Sequence, residues 1–162
     1  PLSQLPFFDG VLKRNEMGFA RLFETVELLC SLSKNKTAAI LGLTYKPDTN
    51  TLRGSMAIAL IEKLLGRGHK VRFYDPAAEE TVLASETSET GGVTRAGTPY
   101  SACDGADFLV IMTSWNEFRN LDLKEIKKRL TANLIIDPCN LLDPNAVREA
   151  GFVYFGTGRK II

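Results

Sequence analysis

No glycine-rich GxGxxG turn, P-loop, HExxH or GxSxG motif occurs in this chain of 162 residues. Their absence removes the usual dinucleotide cradle, the nucleotide triphosphate cradle, the helical zinc site and the serine-hydrolase elbow. Histidine occurs once, as His69, between a helix end and a strand, where a surface position is expected rather than a general base. Cysteine is scarce: Cys30, Cys103 and Cys139 are odd in number and widely spaced, which fits reduced thiols in a cytoplasmic setting and no metal pattern. A catalytic Cys139 would lack an evident base. Net charge is only +1, so no basic field argues for nucleic acid. The uncharged apolar runs are far shorter than a bilayer span and no signal peptide is visible, so no membrane partner is expected. The chain opens at Pro1 without a Met, as expected of a trimmed or excised chain.

What is present is the make-up of one compact soluble domain, 44% apolar and 24% charged. Residues 11–33 carry apolar residues at helical spacing and read as one long amphipathic helix after an irregular PLSQLPFFDG. Thr37–Tyr45 is a near-continuous apolar run, the pattern of a buried parallel strand. Ser55–Leu65 is helical, with Ser55 as N-cap and Gly66 and Gly68 closing it. Strands follow at 71–74, 108–113, 134–137 and 152–155, with helices at 123–130 and 143–150; Asp143 caps the latter and Pro144 takes its first position. Residues 77–101 give little signal beyond a short helix followed by a short strand near Val93. Strands alternating with helices predict an α/β fold, a mostly parallel sheet with helices on both faces. Right-handed crossovers then gather the loops after Tyr45, Thr113 and Asp137 at one sheet edge, where such folds bind ligands.

The loop after the first strand holds the chemistry. Lys46 can reach over the sheet edge to an anion, and Arg53 offers a fork of donors to a phosphate; a solvated lysine and an ion-paired arginine are the plain alternatives. The start of the following helix also favours an anion. Asp48, Thr49, Asn50 and Thr51 read as turn formers, Trp115 as a packing residue anchoring its loop, and Asp137, Cys139 and Arg159 as candidates that spacing leaves undecided.

The stretch ILGLTYKPDTNTLRGS with VRFYDP after it resembles the C-terminal domain of the UDP-glucose/GDP-mannose dehydrogenase family. Tyr45, Lys46, Pro47, Thr49, Arg53, Ser55, Tyr74, Asp75 and Pro76 match its loop, helix and strand signatures. DFLVIMTSWNEF, IIDPCN and the closing GF-x-Y…G-x-GR are similar to further family strands, and PFFDGVLKRNE to the hand-over from its central helical domain. The resemblance implies a Rossmann-like three-layer sandwich at 36–162, preceded by a long N-terminal helix, with 1–35 the end of the central region. It implies part of an NAD-dependent enzyme that oxidises the C6 alcohol of a nucleotide sugar, UDP-glucose to UDP-glucuronate in type, through a cysteine-bound thiohemiacetal. The NAD-binding domain and catalytic cysteine lie outside this chain, so the chain alone is expected to be inactive. On that reading Lys46 contacts the nucleotide sugar, Arg53 reaches the NAD, and the full enzyme is a homodimer.

Four positions depart from the pattern: Thr51 and Gly54 stand where carboxylates are expected, and Pro138-Cys139 replaces Gly-Arg. The last removes one nucleotide-sugar contact, leaving open a substitute donor such as Arg159, a different sugar nucleotide, or weaker binding. A non-catalytic α/β nucleotide-binding or assembly module is the alternative reading.

Overall fold

In the computed structural model residues 6–78 and 92–159 are described, side chains from Asp9 onward. The chain begins with α1 (Pro6–Leu32), then β1 (Thr37–Leu41), α2 (Met56–Gly66), β2 (Lys70–Tyr74) and β3 (Val93–Arg95). It continues through α3 (Pro99–Ala102), β4 (Phe108–Ile111), a 3₁₀ turn at Asn116–Asn120, α4 (Leu123–Arg129), β5 (Leu134–Asp137), α5 (Pro144–Glu149) and β6 (Val153–Gly156).

All six strands are parallel, in the order β3-β2-β1-β4-β5-β6. This is the Rossmann-like arrangement, and it reverses direction between β1 and β4. The pleat sorts the apolar runs between two cores. Ala38, Ile40, Val71, Phe73, Phe108 and Val110 face α1 and α2 through Val26, Cys30, Leu60, Ile61 and Leu64. Ala39, Leu41, Leu109, Ile111 and Ile135 face the other layer through Ala102, Phe118, Ile126 and Val147. β1 and β4 are buried at every position, which is why they read as continuous rather than alternating runs. Each fully buried Leu or Ile contributes about 1.5–3 kcal/mol of burial free energy.

Local chemistry sets the ends of the elements. Ser55 caps α2 by accepting from the amides of Ala57 and Ile58. Asp143 accepts from Asn145 N, with Pro144 opening α5. Gly68 and Gly151 follow helices at φ +74° and +80°, the left-handed closure that glycine adopts without a Cβ penalty.

Three expectations are corrected and one falls outside the described residues. α1 starts at Pro6 rather than beyond an irregular decapeptide; a proline lacks an amide that the first helical turn leaves unpaired anyway. β1 stops at Leu41, because Gly42, after a last ladder bond to Tyr74 O at 2.8 Å, turns out at φ +90°. The helix expected ahead of Val93 falls on 79–91, outside the described residues; a short helix also follows that strand at Pro99–Ala102. His69 is not on the surface: it is 6% exposed, its Nδ1 has no partner among the described residues, and burial lowers its pKa.

Candidate functional site

The reversal point between β1 and β4 brings the Lys46 loop beside the Thr113 loop. Beyond Leu41 the chain passes Gly42 so close to β4 that an added Cβ would lie 2.4 Å from Thr113 Cβ. Thr113 Oγ1 donates to Thr44 O at 2.6 Å, fastening one loop to the other. The loop then closes on itself. Tyr45 N donates to Thr51 O at 2.8 Å, Thr51 N donates to Thr49 Oγ1 at 2.9 Å, and Asp48 takes the left-handed turn position at φ 61°. Ser55 closes the far side, donating its hydroxyl to Leu43 O at 2.5 Å while it caps α2.

Lys46 and Arg53 emerge from this frame exposed, and neither side chain makes a hydrogen bond or ion pair with a described residue. A surface lysine and arginine with no internal partner keep all their donors for an anion from solution. The fold therefore places both sequence candidates on one loop at the edge where open α/β sheets take ligands. Tyr45 beside them is 64% exposed.

The residue that holds the loop is one the sequence presented only as part of a YDP match. Asp75, 1% exposed, stands at the end of β2. Its Oδ2 accepts from Leu43 N at 2.7 Å, Thr44 N at 2.9 Å and Thr44 Oγ1 at 3.0 Å, and its Oδ1 from Ala77 N and Ala78 N. Burial raises the carboxyl pKa, but the backbone amides of Thr44, Ala77 and Leu43 outweigh it and hold the group below its ordinary value. Trp115 anchors the neighbouring loop as expected, its Nε1 shared between Thr44 Oγ1 at 3.1 Å and Asp75 Oδ2 at 3.2 Å. No local pattern marked it, because its backbone partners Leu43 and Thr44 are buried and lie some thirty residues away in sequence.

The remaining candidates form a separate group at the ends of β5 and β6, two and three strands from β1. Asp137 is fully buried, its Oδ2 accepting from Leu142 N at 2.9 Å and Tyr154 Oη at 3.0 Å. Through Oδ2 it ties the β5 loop to β6, while its Oδ1 has no partner among the described residues. Cys139 is exposed, yet the crowding around its sulfur and the Asp137 carboxylate push the thiol up to about 11. A thiol so rarely ionised is a poor nucleophile. Arg159 is exposed, its chain passing Gly156, where an added Cβ would lie 3.0 Å from Arg159 Cδ and 2.4 Å from Asn140 Oδ1. Asn50 is exposed in the turn where it was expected. No cluster of three or more metal-ligating side chains occurs among the described residues. A hollow of about 360 Å³ lies at the opposite, N-terminal edge of the strands, lined in part by Thr37, Lys70, Arg72 and Asp104. It is remote from both groups, and the chemistry of the strand ends is the better guide to function.

Fold and loop together define a Rossmann-like domain that presents two unpaired cations at the reversal point of a parallel sheet. The chain belongs to the UDP-glucose/GDP-mannose dehydrogenase family: the model of that family's UDP binding domain matches residues 39–144. The UDP-glucose 6-dehydrogenase of Pseudomonas aeruginosa is 38% identical over 153 residues, covering 93% of this chain and 34% of that protein. That of Rhizobium meliloti is 41% identical over 121 residues, 75% of this chain and 27% of the relative. Among solved structures, a UDP-glucose dehydrogenase from Pyrobaculum islandicum superposes with a TM-score of 0.73 at 25% identity, over 94% of this chain and 32% of that one. A UDP-D-ManNAc dehydrogenase from Pyrococcus horikoshii gives 0.64 at 28% identity, over 87% and 30%. The chain thus spans about a third of the length of the relatives it matches.

Proposed function

We propose that this chain is the substrate-capping C-terminal domain of an NAD-dependent nucleotide-sugar 6-dehydrogenase of the UDP-glucose type. Residues 36–162 form that domain, and 1–35 are the tail of the central helical region through which the full enzyme dimerises. The observation that carries the reading is the pair Lys46 and Arg53, exposed and unpaired on a loop braced at the reversal point. Lys46 meets the nucleotide sugar and Arg53 meets the NAD. Both ligands carry phosphates, for which a compact ammonium and a planar guanidinium are suited donors. NAD accepts the hydride when bound. The unpaired guanidinium of Arg53 fits one of its phosphates, while the described residues include no glycine-rich turn to seat it, so its main seat lies on another domain. The lid alone is inactive: it supplies cations to ligands held elsewhere.

The matched relatives named UDP-glucose 6-dehydrogenase support a UDP-sugar substrate, and a cytoplasmic role in polysaccharide precursor supply follows from that reading. The free thiols Cys30, Cys103 and Cys139 suit a reducing compartment. Cys139, at the place of the family's arginine, favours the second reading, a non-catalytic nucleotide-binding or assembly module that has lost one ligand contact.

An NMR titration of the chain with UDP-glucose tests the main reading. Weak binding that shifts the amides of residues 44–55 is expected; shifts confined to the β5 and β6 ends, or to the hollow at the opposite sheet edge, would overturn it.

A further inference from the structure

Lys46 and Arg53 make no hydrogen bond or ion pair with a described residue, so the polar bonds that position them act through the backbone of their loop. The structure supplies one device for this. Asp75 accepts from two consecutive loop amides, Leu43 N and Thr44 N, immediately before Tyr45 and Lys46. The same carboxylate accepts from the hydroxyl of Thr44, and that hydroxyl accepts from Trp115 Nε1. Trp115 Nε1 also reaches Asp75 directly at 3.2 Å. Thr113, two residues earlier, donates to the carbonyl of Thr44. Thr44 therefore has its amide, carbonyl and hydroxyl all committed, to two different strand ends.

We propose that Asp75 and Trp115 are positioning residues for the Lys46–Arg53 loop. They form a clasp from the ends of β2 and β4 that fixes where the loop cations meet ligand phosphate. The proposal rests on the reading above for what the cations meet, but the mechanical part stands on hydrogen bonds alone. The physical reason is one of cost. A carboxylate buried this fully stays charged only while its donors remain in place, so a loop that swings away strands a buried charge. The loop is consequently held in one register without any partner spent on Lys46 or Arg53 themselves. Trp115 extends the device to the β4 loop, so the two loops flanking the reversal point move together or not at all. Neither Asp75 nor Trp115 needs to touch ligand.

Hydrogen exchange on this chain reads the clasp without any ligand. The reporter is the Tyr45 amide, bonded to Thr51 O at 2.8 Å within the loop. In Trp115→Phe, which keeps an aromatic side chain but removes the Nε1 donor, Tyr45 should exchange about fivefold faster, and in Asp75→Asn more than about tenfold faster. The amide of Tyr154 in β6 should not change. Unaltered Tyr45 exchange in Trp115→Phe, the more conservative of the two variants, overturns the clasp whatever becomes of Asp75→Asn. The same variants in the full-length dehydrogenase give the functional half. The KM for UDP-glucose should rise about threefold to tenfold with kcat little changed, whereas a merely structural role would lower Tm and leave KM alone. If Lys46→Ala leaves that KM unchanged, the ligand assignment falls and the exchange result still decides the clasp; if Lys46→Ala raises it and the clasp variants do not, the clasp alone is wrong.

Discussion

The hydroxyl of Thr113 donates to the carbonyl oxygen of Thr44 at 2.6 Å, joining two strand-end loops that are 69 residues apart in sequence. This contact is possible because Gly42 lets β1 run against the end of β4. A Cβ on Gly42 would sit 2.4 Å from Thr113 Cβ and 2.6 Å from Thr113 N, and the residue is at φ +90°. The approach of the backbones, rather than a large side chain, makes the two loops neighbours.

Gly42→Ala should accordingly be severely destabilising, by about 3 kcal/mol or more, since steric overlap with backbone and a left-handed conformation act together. Urea denaturation followed by circular dichroism measures this. Gly54→Ala provides the contrast: it shares the positive φ but meets nothing within 4 Å, so its cost should stay near 1 kcal/mol.

Asp75 gives the fold a defined acid limb. Its folded pKa lies below the ordinary value of 3.8, held there by backbone amides. Its stabilisation is therefore present above the unfolded carboxylate pKa and lost as pH falls through the lower, folded one. Glu117, raised by burial, works in the opposite sense. Unfolding free energy measured at pH 6 and pH 3 should fall less in Asp75→Asn than in the parent chain. An equal fall in both would show that the carboxylate is not held by these donors.

The three thiols should differ in access yet share low reactivity. Cys30 and Cys103 are buried, with burial pushing each to about 12, whereas Cys139 is exposed with its thiol at about 11. Thiols raised in this way are little ionised at pH 8. Iodoacetamide should label Cys139 slowly and the other two only after denaturation. Rapid labelling of Cys139 would reopen a nucleophilic role.

Much of this architecture was legible in local chemistry. Ser55 and Asp143 announce helix starts because a short side-chain acceptor before an apolar run has few other uses. The buried runs at 37–41 and 108–111 announce central strands because both faces of the sheet are covered. The limits of β1 were less visible, since Leu43 is as apolar and as buried as Leu41 and only the turn at Gly42 ends the pairing. His69 reads as a surface residue from its place between a helix end and a strand, but it packs where α2 hands over to β2. Of the candidate site, the exposed loop cations Lys46 and Arg53 could be proposed because cations after a strand have a stated use. Asp75 could not, because its partners are backbone amides and an indole brought together only by the sheet order.

The central claim is that Lys46 and Arg53 serve two different ligands. Steady-state kinetics of the full-length dehydrogenase with Lys46→Ala and Arg53→Ala, varying UDP-glucose and NAD in turn, tests it most directly. Losing one charge-assisted contact predicts a rise of about tenfold or more in KM for UDP-glucose with Lys46→Ala and in KM for NAD with Arg53→Ala, each leaving the other KM nearly unchanged. Unchanged KM values in both variants, or a loss shared equally between the two ligands, would contradict the account.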